Sequence, residues 1–187
     1  MNYKDESIKK YLGDLAARLP APGGGSAAAL TAGLGASLIS MVVNFSIGKP
    51  KYVKSDKELK SILEKSEKLR GEFLRLMDLD AVAYQSKKIR DALNVPFMVC
   101  RLCFEGMKLC APLVTHGNVN LISDVAIAAI LLESGFASAY LNVEVNLQLL
   151  GDKKLTQAIN KELAQKEKSV RKTRQETEES VGKIIRR

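Results

Sequence analysis

The sequence predicts an all-α fold: an up-and-down helical bundle of about five to six long helices, oligomerising through helix faces. Three observations carry this expectation. Apolar residues recur at helical spacing through most of the chain, and no pair of convincing strands interrupts them. Hydrophobic residues make up 46% while aromatics are only 5% and tryptophan is absent, so the core must be aliphatic. Such a core suits close-packed helices better than an aromatic-rich β-sandwich. A length of 187 residues fits a single domain over 1–187, with 152–187 as a peripheral C-terminal helix.

Asp5-Glu6-Ser7 can start the first helix, which places Ile8, Tyr11, Leu12, Leu15 and Leu19 on one face. Pro20 and Pro22 stop it. Three glycines follow, and Ser26 stands where a cap for a second helix, to about Ser46, would be. Ala28, Ala32, Ala36, Ser40 and Asn44 recur every four residues, a stripe of small side chains that admits a neighbouring backbone closely. After the basic loop "GKPKYVKS", a long third helix starts near Ser55 with Leu59, Ile62, Leu63, Leu69, Phe73, Leu76 and Met77 on its apolar face. Continuing the period brings Asp80 and then Tyr84 onto that face. A carboxylate on a core-facing stripe demands a partner or a purpose. Its plain alternative is a side chain turned to water or paired with Lys87 or Lys88.

Asn94-Val95-Pro96 marks the start of a fourth helix to about Val114, and "THGNVNLISD" is a turn-rich connection. Ser123 can cap a fifth helix to Leu150, with Asp124 in its first turn. "LNVEVNLQL" alternates like a strand, but no turn separates it from the preceding helical run. It is therefore assigned to the helix, with Asn142 and Asn146 one turn apart. The last helix begins at Lys153, with sparse apolar positions at Leu155, Ile159, Leu163 and Val170.

The net charge is +8. From Asp152 onward eleven Lys/Arg face six Asp/Glu, but the two signs interleave as on a solvated helix face, so nucleic acid is not an expected partner. Residues 19–48 carry no charge, yet their prolines, glycines and alanines suit a helix buried among others better than a membrane span. Cys100, Cys103 and Cys110 lack a disulfide framework and fit a reducing, cytoplasmic setting. Cys100 and Cys103 form a C-x-x-C pair, weighed here against simple core packing on a helix.

The segments "LPAPGGGSAAALTAGLGASLISMVVNFSIGKPKY", "DLDAVAY", "NVP", "GNVNLISDVAIAA" and "LNVEVNL" occur in this order. Together they resemble the formiminotransferase-cyclodeaminase C-terminal family, over roughly Ile8 to Gly151. That family includes stand-alone methenyltetrahydrofolate cyclohydrolases and the cyclodeaminase domain of a bifunctional enzyme. The resemblance implies a homodimeric or larger helical assembly acting on one-carbon tetrahydrofolates, which are often polyglutamylated. Two departures stand out. Tyr84 lies only twelve residues before Pro96, a shorter segment than relatives usually have, and Pro50 interrupts a loop that is usually richer in lysine.

Two reactions follow from the resemblance. A cyclohydrolase adds water to the methenyl carbon of 5,10-methenyltetrahydrofolate and gives 10-formyltetrahydrofolate. A cyclodeaminase closes N10 onto a 5-formimino carbon and releases ammonia. Both need a proton acceptor, a proton donor and a negative field beside a cation; neither needs a metal or other cofactor. Cyclohydrolase is preferred because no transferase domain is attached to supply a formimino substrate. A non-catalytic folate-binding scaffold is the rival from another class. The expected catalytic residues are Asp80 and Asp124. The expected substrate contacts are Gly23, Gly24, Gly25, Ser26, Asn44, Lys49, Lys51, Tyr84, Asn118 and Ser123. Packing, capping and turn formation are the alternative roles for Tyr84, Ser123 and Asn118, and His116 reads as a turn residue. The glycines let a flat ring or a carboxylate approach backbone N–H groups at a helix start.

Overall fold

The computed structural model describes residues 2–86 and 88–186, and these contain helices and no strand. A 3-10 turn at Tyr3–Asp5 precedes α1 (Ile8–Ala16). Then come α2 (Gly24–Asn44), α3 (Asp56–Ser86), α4 (Ile89–Met107), α5 (Cys110–His116), α6 (Ile122–Leu150) and α7 (Lys153–Ile185). Five of these are long and run up and down. α2 lies between α3 and α6, and α6 packs in turn on α4 and α7.

Small residues set the closest approach, between α2 and α6. A Cβ at Gly135 would stand 2.9 Å from Ala32 Cβ and 3.1 Å from the Ala28 carbonyl. One at Gly35 would stand 3.0 Å from the Ala128 carbonyl. Ala28, Ala32, Ala36 and Ser40 of the predicted stripe are buried, and Ser40 hydrogen-bonds Ser66 of α3 across 2.8 Å. Asn44 ends the stripe in solvent. Gly135→Val therefore overpacks this seam. An expected cost of about 1–3 kcal/mol should appear as a fall in melting temperature.

Several boundaries differ from the sequence reading. α1 is capped as expected, Ser7 Oγ accepting from Lys10 N–H at 3.1 Å. Of its predicted apolar face only Tyr11 is buried, while Ile8 and Leu12 are 77% and 54% exposed. α2 starts at Gly24 with Gly23 as its N-cap, so Ser26 is not the cap. α6 starts at Ile122 after Leu121, so Ser123 is an exposed first-turn residue and not a cap.

The fourth helix starts at Ile89, not near Pro96, and it breaks after Met107, before Val114. Pro96 sits inside it. Proline has no N–H, so the carbonyl four residues back, at Ala92, loses its helical partner. Asn146 of α6 replaces that partner: its Nδ2 donates to the Ala92 carbonyl at 2.7 Å. A side chain from a neighbouring helix thus lets α4 run through its proline.

α7 packs along α6 and α4, burying Ile159, Leu163, Val170 and Val181. Its interleaved charges pair as Arg171–Glu167 and Lys172–Glu176 along the helix, and as Arg174–Glu133 onto α6. The three cysteines are buried and free. Burial pushes the Cys100 and Cys110 thiols up to about 12, so they remain protonated packing groups.

Candidate active site at the start of helix α2

α2 begins with two glycines after an extended Gly23. The first backbone N–H groups of a helix lack partners inside it. Asp80, from α3, supplies one from outside: its Oδ2 accepts the Ser26 N–H at 2.9 Å. Gly25 makes room for this. A Cβ there would lie 2.7 Å from Asp80 Cγ and would overlap Oδ1. The conformation is not the reason for glycine here; the carboxylate occupies the space.

Asp80 is half-buried. Burial raises its pKa above the ordinary carboxylate value, and the Ser26 N–H only partly offsets this. Oδ1 accepts no hydrogen bond among the described residues. One oxygen is held and the other is free to take a proton.

Two further residues lie at this helix start. The Tyr11 hydroxyl hydrogen-bonds Ser26 Oγ at 3.2 Å, with both groups buried. Asn142 of α6 lies beside Gly24, its Nδ2 being 3.7 Å from where a Gly24 Cβ would stand. Neither was predicted as a site residue. The sequence places Tyr11 on an apolar face, and the Asn142–Asn146 spacing names no target. Tyr84, one turn beyond Asp80, is 63% exposed and is not a packing residue. Lys87, the other suggested partner for Asp80, lies outside the described residues.

The remaining predicted residues stand at the opposite end of the bundle. α6 runs antiparallel to α2, and Asp124 precedes Asn142 by eighteen residues on it. At 1.5 Å per residue that is about 27 Å. Within one chain, then, Asp80 and Asp124 do not share a site. Asn118 is buried and saturated at the Asp124 end. Its N–H donates to Ser46 Oγ, its Nδ2 to the Phe45 carbonyl, and its Oδ1 accepts from Asn120 N–H and the Tyr52 hydroxyl. It pins the corner where α2 meets the start of α6. Asn118→Ala strands the Phe45 carbonyl, the Asn120 N–H and the Tyr52 hydroxyl, and a loss of about 1–3 kcal/mol is expected in denaturant unfolding. Lys49 and Lys51 are exposed, their ammonium groups resting over the Phe45 and Tyr52 rings. His116 ends α5, bonding Ser55 Oγ at 3.0 Å and lying 3.3 Å from Glu58.

A model of the formiminotransferase-cyclodeaminase family matches residues 7–88 and 86–165. The two matched segments meet in the short stretch between Tyr84 and Pro96. The methenyltetrahydrofolate cyclohydrolase of Methylorubrum extorquens is 37% identical over 182 residues, a match that covers 85% of this chain and 88% of that protein. The formimidoyltransferase-cyclodeaminase of Rattus norvegicus is 28% identical over 171 residues, covering 79% of this chain but 32% of that protein, so this chain spans about a third of its length. The crystal structure of formiminotetrahydrofolate cyclodeaminase from Thermotoga maritima superposes with a TM-score of 0.92 at 26% identity, over 97% of this chain and 98% of the other. The chain therefore belongs to the formiminotransferase-cyclodeaminase family.

Proposed function

We propose that the chain hydrolyses 5,10-methenyltetrahydrofolate to 10-formyltetrahydrofolate, with Asp80 as general base. The observation that carries this reading is the carboxylate at the start of α2: one oxygen is fixed by Ser26 N–H, and the other is free beside a glycine-lined approach. Its negative charge complements the cationic methenyl bridge. Burial makes it a stronger base than an exposed aspartate.

In this mechanism Asp80 Oδ1 removes a proton as a water oxygen bonds to the methenyl carbon. The same proton then passes from Asp80 to N5. The C–N5 bond breaks with its electron pair going to nitrogen, while the carbinol O–H gives its proton to the ionised Asp80 and then to solvent, which leaves the formyl group on N10. The net change is addition of water and release of one proton. Asn142 and Tyr84 flank the approach and supply hydrogen bonds to the pterin.

The likeness to the Thermotoga maritima structure favours a second reading, cyclodeamination, in which N10 attacks a formimino carbon and ammonia departs. Supplying methenyl- and formimino-tetrahydrofolate in parallel and following both absorbance and ammonia separates the two. Hydrolysis without ammonia release is expected; turnover of the formimino substrate alone would replace the first reading by the second.

We place the chain in the cytoplasm as a homo-oligomer. Its buried free thiols suit a reducing compartment. Leu34 of α2 and Leu141, Val145 and Leu149 of α6 are exposed apolar side chains that a second copy would cover. Such a copy is the route by which Asp124, Lys49 and Lys51 come near an Asp80 carboxylate. The lysines then meet the polyglutamate tail. Changing Lys49 and Lys51 together to Gln is expected to raise KM for polyglutamylated substrate and to flatten its salt dependence, with the monoglutamate little changed. Equal losses for both tail lengths would remove the lysines from tail recognition.

A further inference from the structure

Ser26, like Ser40, sends its hydroxyl to a side chain of another element, unlike the remaining hydroxyl residues of its helix. Thr31 and Ser37 return their hydroxyls to the carbonyls of Ala27 and Gly33, four residues back, and Ser46, just past the end of α2, returns its own to Val42. Ser26 has no such acceptor, because four residues back is Pro22, before the helix begins. Its hydroxyl must turn outward, into a fully buried environment. The group it finds is the Tyr11 hydroxyl.

Tyr11 is itself held by Tyr3, which is tied to α3. Tyr3 packs edge-on against its ring, with centroids 5.4 Å apart and planes at 86°. The Tyr3 N–H donates to Asp78 Oδ1 at 2.6 Å, two residues before Asp80 on α3. The segment from Tyr3 to Tyr11 therefore bridges the two elements that meet at Asp80: α3 through Asp78 and α2 through Ser26. Burial raises the phenol's pKa, the Ser26 hydrogen bond offsets part of the rise and the Asp80 charge adds to it, so Tyr11 stays neutral.

We propose that Tyr11 is a positioning residue for Asp80: of the two directions open to the Tyr11–Ser26 hydrogen bond, the Ser26 hydroxyl donates to the phenol oxygen, which keeps that proton away from the carboxylate and leaves it one held and one free oxygen. The proposal rests on Asp80 acting as the base. Without the phenol hydroxyl, the buried Ser26 Oγ–H is left on the residue whose own N–H Asp80 already accepts, and the carboxylate is the acceptor it turns to. A hydrogen bond to the ionised form lowers a carboxylate's pKa and weakens it as a base.

The test is a carboxylate 13C NMR titration of protein labelled at aspartate, with Asp80→Asn identifying the Asp80 signal. Tyr11→Phe keeps the ring and its contact with Tyr3. It is expected to lower the Asp80 midpoint by about one pH unit. It should move the acid limb of the pH–rate profile by the same amount and lower the plateau kcat. Ser26→Ala, and Tyr11→Phe combined with Ser26→Ala, should keep the wild-type midpoint, because no hydroxyl remains to compete. An unmoved midpoint in Tyr11→Phe, or a double variant that fails to restore it, overturns the role of Tyr11. A midpoint that moves in Tyr11→Phe while Asp80→Asn retains full turnover overturns the base assignment alone.

Discussion

Asp80→Asn is expected to lower turnover by about two orders of magnitude, the usual scale of general acid–base catalysis. The fold should survive. Asparagine keeps an oxygen to accept the Ser26 N–H and removes only the charge. The stability effect has a definite sign. Burial raises the Asp80 pKa, so the folded state holds this proton more tightly than the unfolded state does. The resulting contribution to stability is present in full below the ordinary aspartate range. It is lost as pH rises through the raised value. At neutral pH the ionised carboxylate is a small liability that asparagine removes, so the variant should melt at or slightly above wild type there and lose that advantage in acid. Wild-type turnover should fall as pH drops through the same raised value. Melting curves at two pH values and a pH–rate profile check both halves; near wild-type turnover would sink the assignment.

Gly25→Ala should be the most damaging single-methyl change in the chain. The new Cβ would lie 2.7 Å from Asp80 Cγ, inside any permitted contact. The carboxylate must swing away, and the Ser26 N–H at the helix start loses its acceptor. Alanine's better helix propensity returns about 0.5–1 kcal/mol. A stranded buried donor costs about 1–3 kcal/mol. Stability should therefore change little or fall modestly, while turnover drops to about the level of Asp80→Asn. Gly24→Ala is the control. Its Cβ would meet Asn142 Nδ2 at 3.7 Å, an ordinary contact, so Asp80 keeps its place and turnover should fall less than in Gly25→Ala. Equal turnover in the two alanine variants would show that the carboxylate's place does not matter to the reaction.

Much of this architecture is legible in the sequence, for physical reasons. Periodicity locates helices because a bundle buries one stripe of each, as Leu59, Ile62, Phe73 and Leu76 do on α3. The same period put Asp80 on the inner face of α3, where it is found half-buried against α2. Capping was less legible. Ser26 and Ser123 have the right chemistry at a helix start, but a tertiary acceptor replaces the first and a backbone turn replaces the second. Pro96 reads as a helix boundary because its missing N–H is a local fact, whereas the compensating amide lies fifty residues away. The separation of Asp80 from Asp124 was hidden for a related reason. Spacing assigns a residue to a helix face, but only the antiparallel pairing of α2 with α6 decides which end of the bundle it reaches.

The amide of Asn146 also ties two distant positions into one evolutionary unit. Its donor is useful because residue 96 is a proline and the Ala92 carbonyl is left over. Were position 96 to regain an N–H, that carbonyl would be claimed by its own helix, and Asn146 would become a polar group without an assignment. Were Asn146 to become apolar first, the proline would turn from a tolerated residue into a defect. The order of substitution therefore matters: a lineage can leave this pair of states only through an intermediate that is worse than either end. Homologues should accordingly carry proline with a donor, or neither, and seldom one without the other.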